Sequence, residues 1–428
     1  MSDLLQTRIH DGRALLTRRY DVVRALSETL AAPLSIEDQC VQSMPDASPT
    51  KWHLAHTSWF FETVVLRAHM PDYRVFNEHF HFLFNSYYEA LGPRQVRAER
   101  GLLSRPSQRE VMDYRAFVDA AMRDFAAAAD EDRWSAAAPL ILLGLNHEQQ
   151  HQELLLTDIK HLLSRNVLNP EYSAGMRRKT HDALSLSWVD CPGGRVEIGH
   201  EGAGFAFDNE TPRHAVLLRP YQLANRCVTN GEYLAFMDDG GYQRPEFWLS
   251  DGWALCQTAQ WRSPLYWQKV DGVWRDFTLH GRRDVNAAEP VCHLSFYEAA
   301  AYAQWAGARL PTEFEWEAAS YGVVFDGRFL DTARLHPGAV QTESPASGLQ
   351  QMYGDVWEWT RSSYDPYPGF RPLGGAVGEY NGKFMVGQIV LRGGSCVTPE
   401  GHMRPSYRNF FPPAARWQFL GLRLARDI

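Results

Sequence analysis

Two histidines four residues apart, His147 and His151, lie in a long run with leucines on both sides of them. The run from about 136 to 163 predicts a helix, in which side chains four positions apart stack on the same face. An imidazole that points into a protein interior needs a partner, and neutral imidazole is the commonest metal ligand among side chains. The pair therefore predicts a buried metal site on this helix.

The first part of the chain predicts an antiparallel four-helix bundle, because its apolar residues recur with helical spacing. The predicted helices are 12–30, 48–68, 110–129 and 136–163. Ser48 and Pro49 predict the start of the second helix, with serine as the cap and proline in the first turn. The connection 69–109 is long, and connections of that length in a compact domain are usually functional.

The chain is too long for a single core, since it has 428 residues. The helical pattern predicts a first domain over 1–165, and the polar, aperiodic segment 166–185 predicts a linker. From 186 to 428, glycine is frequent and the predicted strands are short, which is typical of a loop-rich α+β domain. Helices are predicted there only over 230–237 and 295–306.

Charge and cysteine content exclude several classes of protein. The net charge is −8 and no basic run stands out, so nucleic acid and anionic membranes are poor candidates as partners. The six cysteines form no CxxC pair, which fits a reducing compartment rather than a disulfide scaffold. No apolar stretch reaches the roughly 18 residues of a membrane span. These features predict a cytoplasmic protein.

The second domain resembles the formylglycine-generating-enzyme type of C-type-lectin-like domain. The matching motifs, in order, are 208–214, 228–233, 309–319, 354–360, 391–395 and 421–424. The order of these motifs strongly indicates the fold. It indicates little about function, because this scaffold carries many activities.

The helical domain with its inward histidines resembles the DinB family, and the two domains in this order resemble the EgtB family of ergothioneine-pathway sulfoxide synthases. The resemblance implies an iron(II) ion held by His56, His147 and His151. His53, one turn before His56, is the competing ligand on the second helix. An all-histidine set leaves open positions, which suits a non-haem iron that must take dioxygen and two substrates.

The implied reaction is an oxidative carbon–sulfur bond formation, in which dioxygen, cysteine and hercynine (trimethylated histidine) give a sulfoxide. In the long connection, Tyr87 and Tyr88 are the implied proton donors. Arg97 and Arg100 match the arginine pair that holds the carboxylate of the thiol substrate. Paired tyrosines resemble the cysteine-using branch, whereas the γ-glutamylcysteine-using branch has its tyrosine in the C-terminal domain.

Hercynine recognition is implied for four further residues. Asn409 would bind the carboxylate, Phe410 and Phe411 would face the quaternary ammonium, and Gln150 would bind the distal imidazole nitrogen. Family members that bind the γ-glutamyl group carry an acidic residue at the position of Phe411. A phenylalanine there therefore favours cysteine as the sulfur donor. The open alternatives are the same reaction with γ-glutamylcysteine, and an ovothiol-type synthase acting on histidine.

The segment 147–151 also fits the HExxH pattern of zinc metalloproteases, with Glu148 as general base. A third ligand upstream, on another helix, is atypical of that class. Glu148 and Glu153 are instead interpreted as groups that support the ligands or face solvent. A non-catalytic binding module on the lectin-like scaffold is the remaining alternative, and it predicts no metal dependence.

Overall fold

A computed structural model describes most of the chain. It covers residues 2–175, 183–202, 204–325, 327–340 and 348–428, with side chains from residue 12 onward. The chain divides into a helical unit, Met1–Arg165 with Gly374–Tyr380, and a C-terminal unit, Asn166–Leu373 with Asn381–Ile428. The sequence did not predict that Gly374–Tyr380 belongs with the helices. The predicted linker, 166–185, lies partly outside the described residues.

The helical unit contains the four long helices that the sequence predicts. Its α-helices are α1 (Ser2–Ala31), α2 (Thr50–Phe60), α3 (Arg67–His69), α4 (Phe80–Phe84), α5 (Gln108–Ala128) and α6 (Glu131–Ser164). A π-helix, Phe61–Leu66, joins α2 to α3, and the long connection contains the 3₁₀ helices Glu89–Leu91 and Arg97–Leu102. Among the described residues, none of the helices combines the length and the apolar character needed to cross a membrane.

Side-chain capping fixes the start of two of these helices. Ser107 and Glu110 form a reciprocal capping box at α5, and Asp130 caps α6. The predicted serine cap of α2 is wrong, because the helix begins after Pro49 without a side-chain cap. The backbone N–H of Ser48 instead donates to Asp158 Oδ2 at 2.8 Å, so this start is held by α6.

A glycine allows α6 to approach the end of α2 closely. A Cβ atom on Gly144 would lie 2.6 Å from a ring carbon of Phe61 and 2.9 Å from one of Phe60. Glycine weakens a helix interior by about 1 kcal/mol relative to alanine, so packing must compensate for it here. The close approach lies one turn before His147 and brings the two histidine-bearing helices together.

The C-terminal unit is an irregular α+β domain. Its strands are β1 (Trp188–Cys191), β2 (Gly194–Ile198), β3 (His214–Leu218), β4 (Tyr221–Ala224), β5 (Trp267–Val270), β6 (Val273–Thr278), β7 (Gly281–Asp284), β8 (Trp357–Ser363), β9 (Ile389–Arg392), β10 (Asn409–Phe411), β11 (Leu420–Gly421) and β12 (Ala425–Asp427). Its α-helices are α7 (Asn230–Asp238), α8 (Ser250–Thr258), α9 (Phe296–Trp305) and α10 (Glu313–Ser320). The sheets have the strand orders β1-β4-β12, β10-β9-β8-β11, β2-β3 and β5-β6-β7.

The helices α7 and α9 occupy the two stretches predicted from sequence, and each starts with a capping box, on Thr229 and Ser295. The helices α8 and α10 were not predicted. The first has no side-chain cap, whereas the second starts with a capping box of Thr312 and Glu315 that could have indicated it. Trp357 and Trp359 on β8 are almost fully buried, and Glu358 between them pairs with Arg423 at 2.8 Å. This tryptophan pair is therefore part of the core.

Candidate metal centre

The three histidines predicted as metal ligands converge inside the helical unit. His56 is on α2, and His147 and His151 are on α6. One ligand nitrogen from each lies within 4.8 Å of the other two. The ring centroids are 4.9 Å apart for His56 and His147, 4.7 Å for His56 and His151, and 4.6 Å for His147 and His151. We refer to these three residues as the histidine triad.

Hydrogen bonding selects the tautomer of His56. Its Nδ1 is 2.6 Å from the carbonyl oxygen of Phe84, which can only accept, so Nδ1 carries the proton. The lone pair is then on Nε2, which is 3.2 Å from Nε2 of His147. Burial lowers the pKa of His147 to about 3 and that of His56 well below its usual range, so both rings are neutral near pH 7. Neutral imidazole nitrogens this close suit a transition-metal cation between them.

His53, the competing ligand, has both ring nitrogens engaged with other side chains. Its Nδ1 is 2.8 Å from Nδ1 of His151, and its Nε2 is 3.0 Å from Asp158 Oδ2. The group of described residues able to share one ion contains His56 from this helix and not His53. His53 therefore contacts a triad member without joining the donor set.

Glu148 is fully buried and ion-paired, so the solvent-facing interpretation of this residue is wrong. Its carboxylate accepts hydrogen bonds from Arg115 at 2.6 Å, Arg24 at 3.0 Å and the Ser27 hydroxyl at 2.6 Å. Burial raises the pKa of this carboxyl, but the two guanidinium groups and the Ser27 hydroxyl together outweigh burial and lower the pKa to about 2. A carboxylate held this way is a poor general base near neutral pH, which counts against a metalloprotease.

We expect Glu148→Gln to lower the free energy of unfolding by about 3 kcal/mol, because it removes the buried carboxylate that two guanidinium groups share. Arg24 then keeps only Asp119 and Arg115 keeps only Glu28 as an ion-pair partner among the described residues. Denaturant titration followed by circular dichroism measures the change. Glu131→Gln is the matched control on the same helix; its side chain is half exposed and pairs with Arg13 at 3.4 Å, so about 0.5 kcal/mol or less is expected. An equal loss in the two variants would contradict the proposed importance of the buried pair.

The same carboxylate predicts a pH dependence of stability. Its pKa falls from the ordinary 4.5 to about 2 on folding, so the unfolded chain binds the proton more readily. The stabilisation from this group is present above pH 4.5 and is lost as the pH falls through about 2. In Glu148→Gln this part of the acid dependence should be missing.

Both parts of the chain match known families. Residues 19–155 match the DinB superfamily, and residues 177–428 match the sulfatase-modifying factor enzyme 1-like domain. The hercynine oxygenase of Mycobacterium tuberculosis is 35% identical over 411 residues, which cover 91% of this chain and 93% of that protein. The chain belongs to the hercynine oxygenase family. The predicted fold class, a DinB-like bundle followed by a formylglycine-generating-enzyme-like domain, is confirmed for this family member.

Two further relatives match this chain, one over nearly all of it and one over about half of it. The hercynine oxygenase of Mycolicibacterium smegmatis is 33% identical, over 90% of this chain and 93% of that protein. The formylglycine-generating enzyme of Streptomyces coelicolor is 30% identical, over 56% of this chain and 88% of that protein. The second match covers only about half of the chain, whereas the hercynine oxygenases match nearly all of it.

Tyr380, which was not among the predicted site residues, lies against the histidine triad. The ring of Tyr380 is 5.6 Å from that of His147, in an edge-to-face arrangement, and its hydroxyl donates to Gln150 Oε1. The two predicted tyrosines lie next to it, with ring centroids 6.1 Å apart for Tyr87 and Tyr380 and 4.7 Å for Tyr87 and Tyr88. Burial raises the pKa of the Tyr88 hydroxyl well above its usual range.

The segment that carries Tyr380 is tied to the loop of the predicted tyrosines. The carboxylate of Glu379 accepts from the backbone N–H groups of Glu89 and Ala90, at 3.0 and 2.8 Å. These N–H groups begin a 3₁₀ helix directly after Tyr88. No pattern in the sequence predicted that Tyr380 lies at the metal centre. The one indication was the γ-glutamylcysteine-using branch of the family, in which the tyrosine comes from the C-terminal domain.

The two predicted arginines differ in environment. Arg100 is 4% exposed, stacks 3.4 Å above the ring of Trp52, and donates to the hydroxyls of Ser48 and Ser86 at 2.9 and 3.1 Å. Trp52 stacks in turn on His56, with ring centroids 4.6 Å apart. Arg97 is exposed and donates to the backbone oxygen of Asp46. Only Arg100 of this pair is therefore linked to the triad through packed rings.

The predicted hercynine-binding residues of the C-terminal unit lie on β10 and are half-buried. Asn409 Oδ1 accepts from the backbone N–H of Phe410 at 2.9 Å, and the Phe410 ring stacks on Tyr364 with centroids 4.0 Å apart. The Phe411 ring is 6.0 Å from that of Trp417. These residues offer aromatic faces and an amide, and their roles toward a substrate stay predictions.

Proposed function

We propose that the chain is an iron(II)-dependent oxygenase that joins hercynine to cysteine and gives hercynylcysteine sulfoxide. The single observation that carries the proposal is the convergence of three imidazole nitrogens, from His56, His147 and His151, in a chain of the hercynine oxygenase family. No carboxylate belongs to this donor group among the described residues. An all-nitrogen set adds no negative charge, so an anionic thiolate and an imidazole can both bind at the same centre.

The overall reaction balances without another reductant. The imidazole loses one C–H hydrogen and cysteine loses its S–H hydrogen, while a C–S bond forms. One oxygen atom of dioxygen oxidises the sulfur to the sulfoxide, and the other leaves as water with the two hydrogens. Ferrous iron, when bound, supplies the electron transfer that activates dioxygen and favours the thiolate form of the thiol.

Substrate recognition is assigned to residues of both sequence halves. Arg100 would bind the carboxylate of the thiol substrate, since its guanidinium is buried and has no ion-pair partner among the described carboxylates. Arg97 would assist from the exposed end of the same 3₁₀ helix. Phe410 and Phe411 would face the trimethylammonium group, which cannot donate hydrogen bonds and is attracted to aromatic faces.

The polar groups of hercynine need two further partners. Asn409 would bind its carboxylate through the side-chain amide. Gln150 would bind the distal imidazole nitrogen, because it lies on α6 immediately before His151. A tyrosine would donate the proton, and Tyr380, Tyr87 and Tyr88 are the candidates. The ring contact of Tyr380 with His147 supports Tyr380 over the other two.

A second candidate is the same reaction with γ-glutamylcysteine as the sulfur donor. It is favoured by Tyr380, because a tyrosine from the C-terminal part of the sequence resembles the γ-glutamylcysteine-using branch. Phe411 favours cysteine, because that branch carries an acidic residue at this position. The two observations point in opposite directions, and a direct competition of the two thiols decides between them.

The reaction is assigned to the cytoplasm. All six cysteines have free thiols, as expected in a reducing compartment. The net charge of −8 argues against nucleic acid as a partner, so the partners proposed are hercynine, the thiol and dioxygen.

The decisive test is reconstitution with Fe(II) under anaerobic conditions, followed by oxygen-saturated buffer, hercynine and one thiol at a time. We expect dioxygen uptake equimolar with a sulfoxide identified by mass spectrometry, and faster turnover with cysteine. Faster turnover with γ-glutamylcysteine would establish the second candidate. Preference for unmethylated histidine would favour an ovothiol-type synthase. Absence of iron-dependent oxygen uptake with every substrate pair would refute the proposal.

A further inference from the structure

A second pair of buried side chains, His53 and Asp158, is linked to His151 of the triad. His53 Nδ1 is 2.8 Å from His151 Nδ1, and His53 Nε2 is 3.0 Å from Asp158 Oδ2. His53 and Asp158 are 3% and 6% exposed, so water does not compete for these contacts. Among the described residues, the three side chains form a continuous chain from a carboxylate to a metal-site imidazole.

The carboxylate sets the direction of every hydrogen bond in this chain. An ionised carboxylate only accepts, and Asp158 Oδ2 already accepts the backbone N–H of Ser48 at 2.8 Å. His53 must therefore carry its proton on Nε2, which leaves Nδ1 as an acceptor. His151 must then donate from Nδ1, which leaves the lone pair of this ring on Nε2.

The helices make this arrangement rigid. Asp158 is seven positions after His151 on α6, about two turns, so both project from the same side of that helix. His53 is three positions before His56 on α2, one turn earlier on a similar face. The helix pair that brings the ligands together therefore also brings their support together.

We propose that His53 and Asp158 are positioning residues, which hold His151 in the tautomer whose Nε2 faces the ion and fix the orientation of its ring. This inference rests on the proposed function in one respect, that the triad binds a metal. Hydrogen-bonded partners of ligating imidazoles commonly change metal affinity by about 10- to 100-fold when removed.

Two substitutions at His53 separate the hydrogen bond from packing. His53→Phe keeps a ring of similar size but removes the acceptor, whereas His53→Asn retains a side-chain oxygen close to the position of Nδ1. The measurement is anaerobic Fe(II) titration against a competing chelator, together with the visible spectrum of the Co(II)-loaded protein, which reports ligand geometry. We expect Fe(II) affinity to fall about 10- to 100-fold in His53→Phe, with an altered Co(II) spectrum, and to stay near the wild-type value in His53→Asn.

A second measurement uses the wild-type protein, so it does not depend on the folding of a variant. In wild-type protein labelled with ¹⁵N-histidine and free of metal, long-range ¹H–¹⁵N correlation distinguishes the two neutral tautomers of each ring. We expect His151 to be protonated on Nδ1 and His53 on Nε2. The opposite tautomer of His151, or wild-type Fe(II) affinity in His53→Phe, would overturn the inference while the metal site stands. Failure of the wild-type protein to bind Fe(II) would overturn the proposed function as well.

Discussion

Replacing His147 by glutamine is expected to abolish sulfoxide formation, with a loss of at least about 10³-fold in kcat, or about 4 kcal/mol in the barrier. The substitution removes one of three nitrogen donors, and the two that remain, His56 and His151, cannot hold the ion in the same geometry. Dioxygen uptake with both substrates measures activity, and anaerobic Fe(II) titration measures affinity, which should fall in parallel.

The position suits this test because its hydrogen bonding is confined to the triad. Nδ1 of His147 has no hydrogen-bond partner among the described residues, and Nε2 lies 3.2 Å from Nε2 of His56. His161→Gln is the matched control, a buried histidine on the same helix whose Nδ1 is 2.7 Å from Ser43 Oγ. The control should keep iron binding and turnover. Full activity in His147→Gln, with stability unchanged, would remove the triad from the reaction.

The second large effect is expected for Tyr380→Phe, with a fall of about 10²- to 10⁴-fold in kcat and little change in KM for either substrate. The hydroxyl of Tyr380 donates to Gln150 and its ring lies 5.6 Å from that of His147, so a proton held there is next to the reacting centre. The change deletes one oxygen atom and keeps the ring packing. Steady-state oxygen uptake with product quantification gives both kinetic constants.

The variants Tyr87→Phe and Tyr88→Phe are the controls. They also test the competing hypothesis that one of these two tyrosines is the proton donor. Both tyrosines come from the loop that the sequence analysis favoured, and Tyr88 packs against Trp59 and Phe60, with ring centroids 5.6 and 6.5 Å away. We expect each to retain most of its kcat. If one of them loses activity and Tyr380→Phe does not, the proton donor belongs to that loop.

The local features of the helical domain were predictable because they depend on residues close in sequence. The four-residue spacing of His147 and His151 fixes a shared helix face whatever the rest of the chain does. The capping box of Ser107 and Glu110, three positions apart, is equally local; it was not used in the prediction and would have placed the start of this helix at Gln108 instead of 110. The ordered motifs of the second half resembled a known domain, which supplied a fold that periodicity alone did not give.

The prediction failed where a side chain is used by a distant partner. Ser48 precedes a proline in a pattern typical of a cap, but its backbone bonds to Asp158, 110 residues away. Glu148 was predicted to support ligands or face solvent, yet Arg24 and Ser27, 124 and 121 residues away, hold it in the core. No periodic pattern carries information about partners at such separations.

The sequence by itself determined the donor types, their spacing on one helix and the family resemblance that named His56 as the third ligand. Only the tertiary structure decided that His56 Nδ1 faces the carbonyl of Phe84, that His53 contacts His151, and that Tyr380 reaches Gln150 across 230 residues of sequence. The physical reason is that helix periodicity is set by local backbone geometry. Tautomers and proton donors are set by hydrogen bonds between helices and loops, which exist only after the chain has packed.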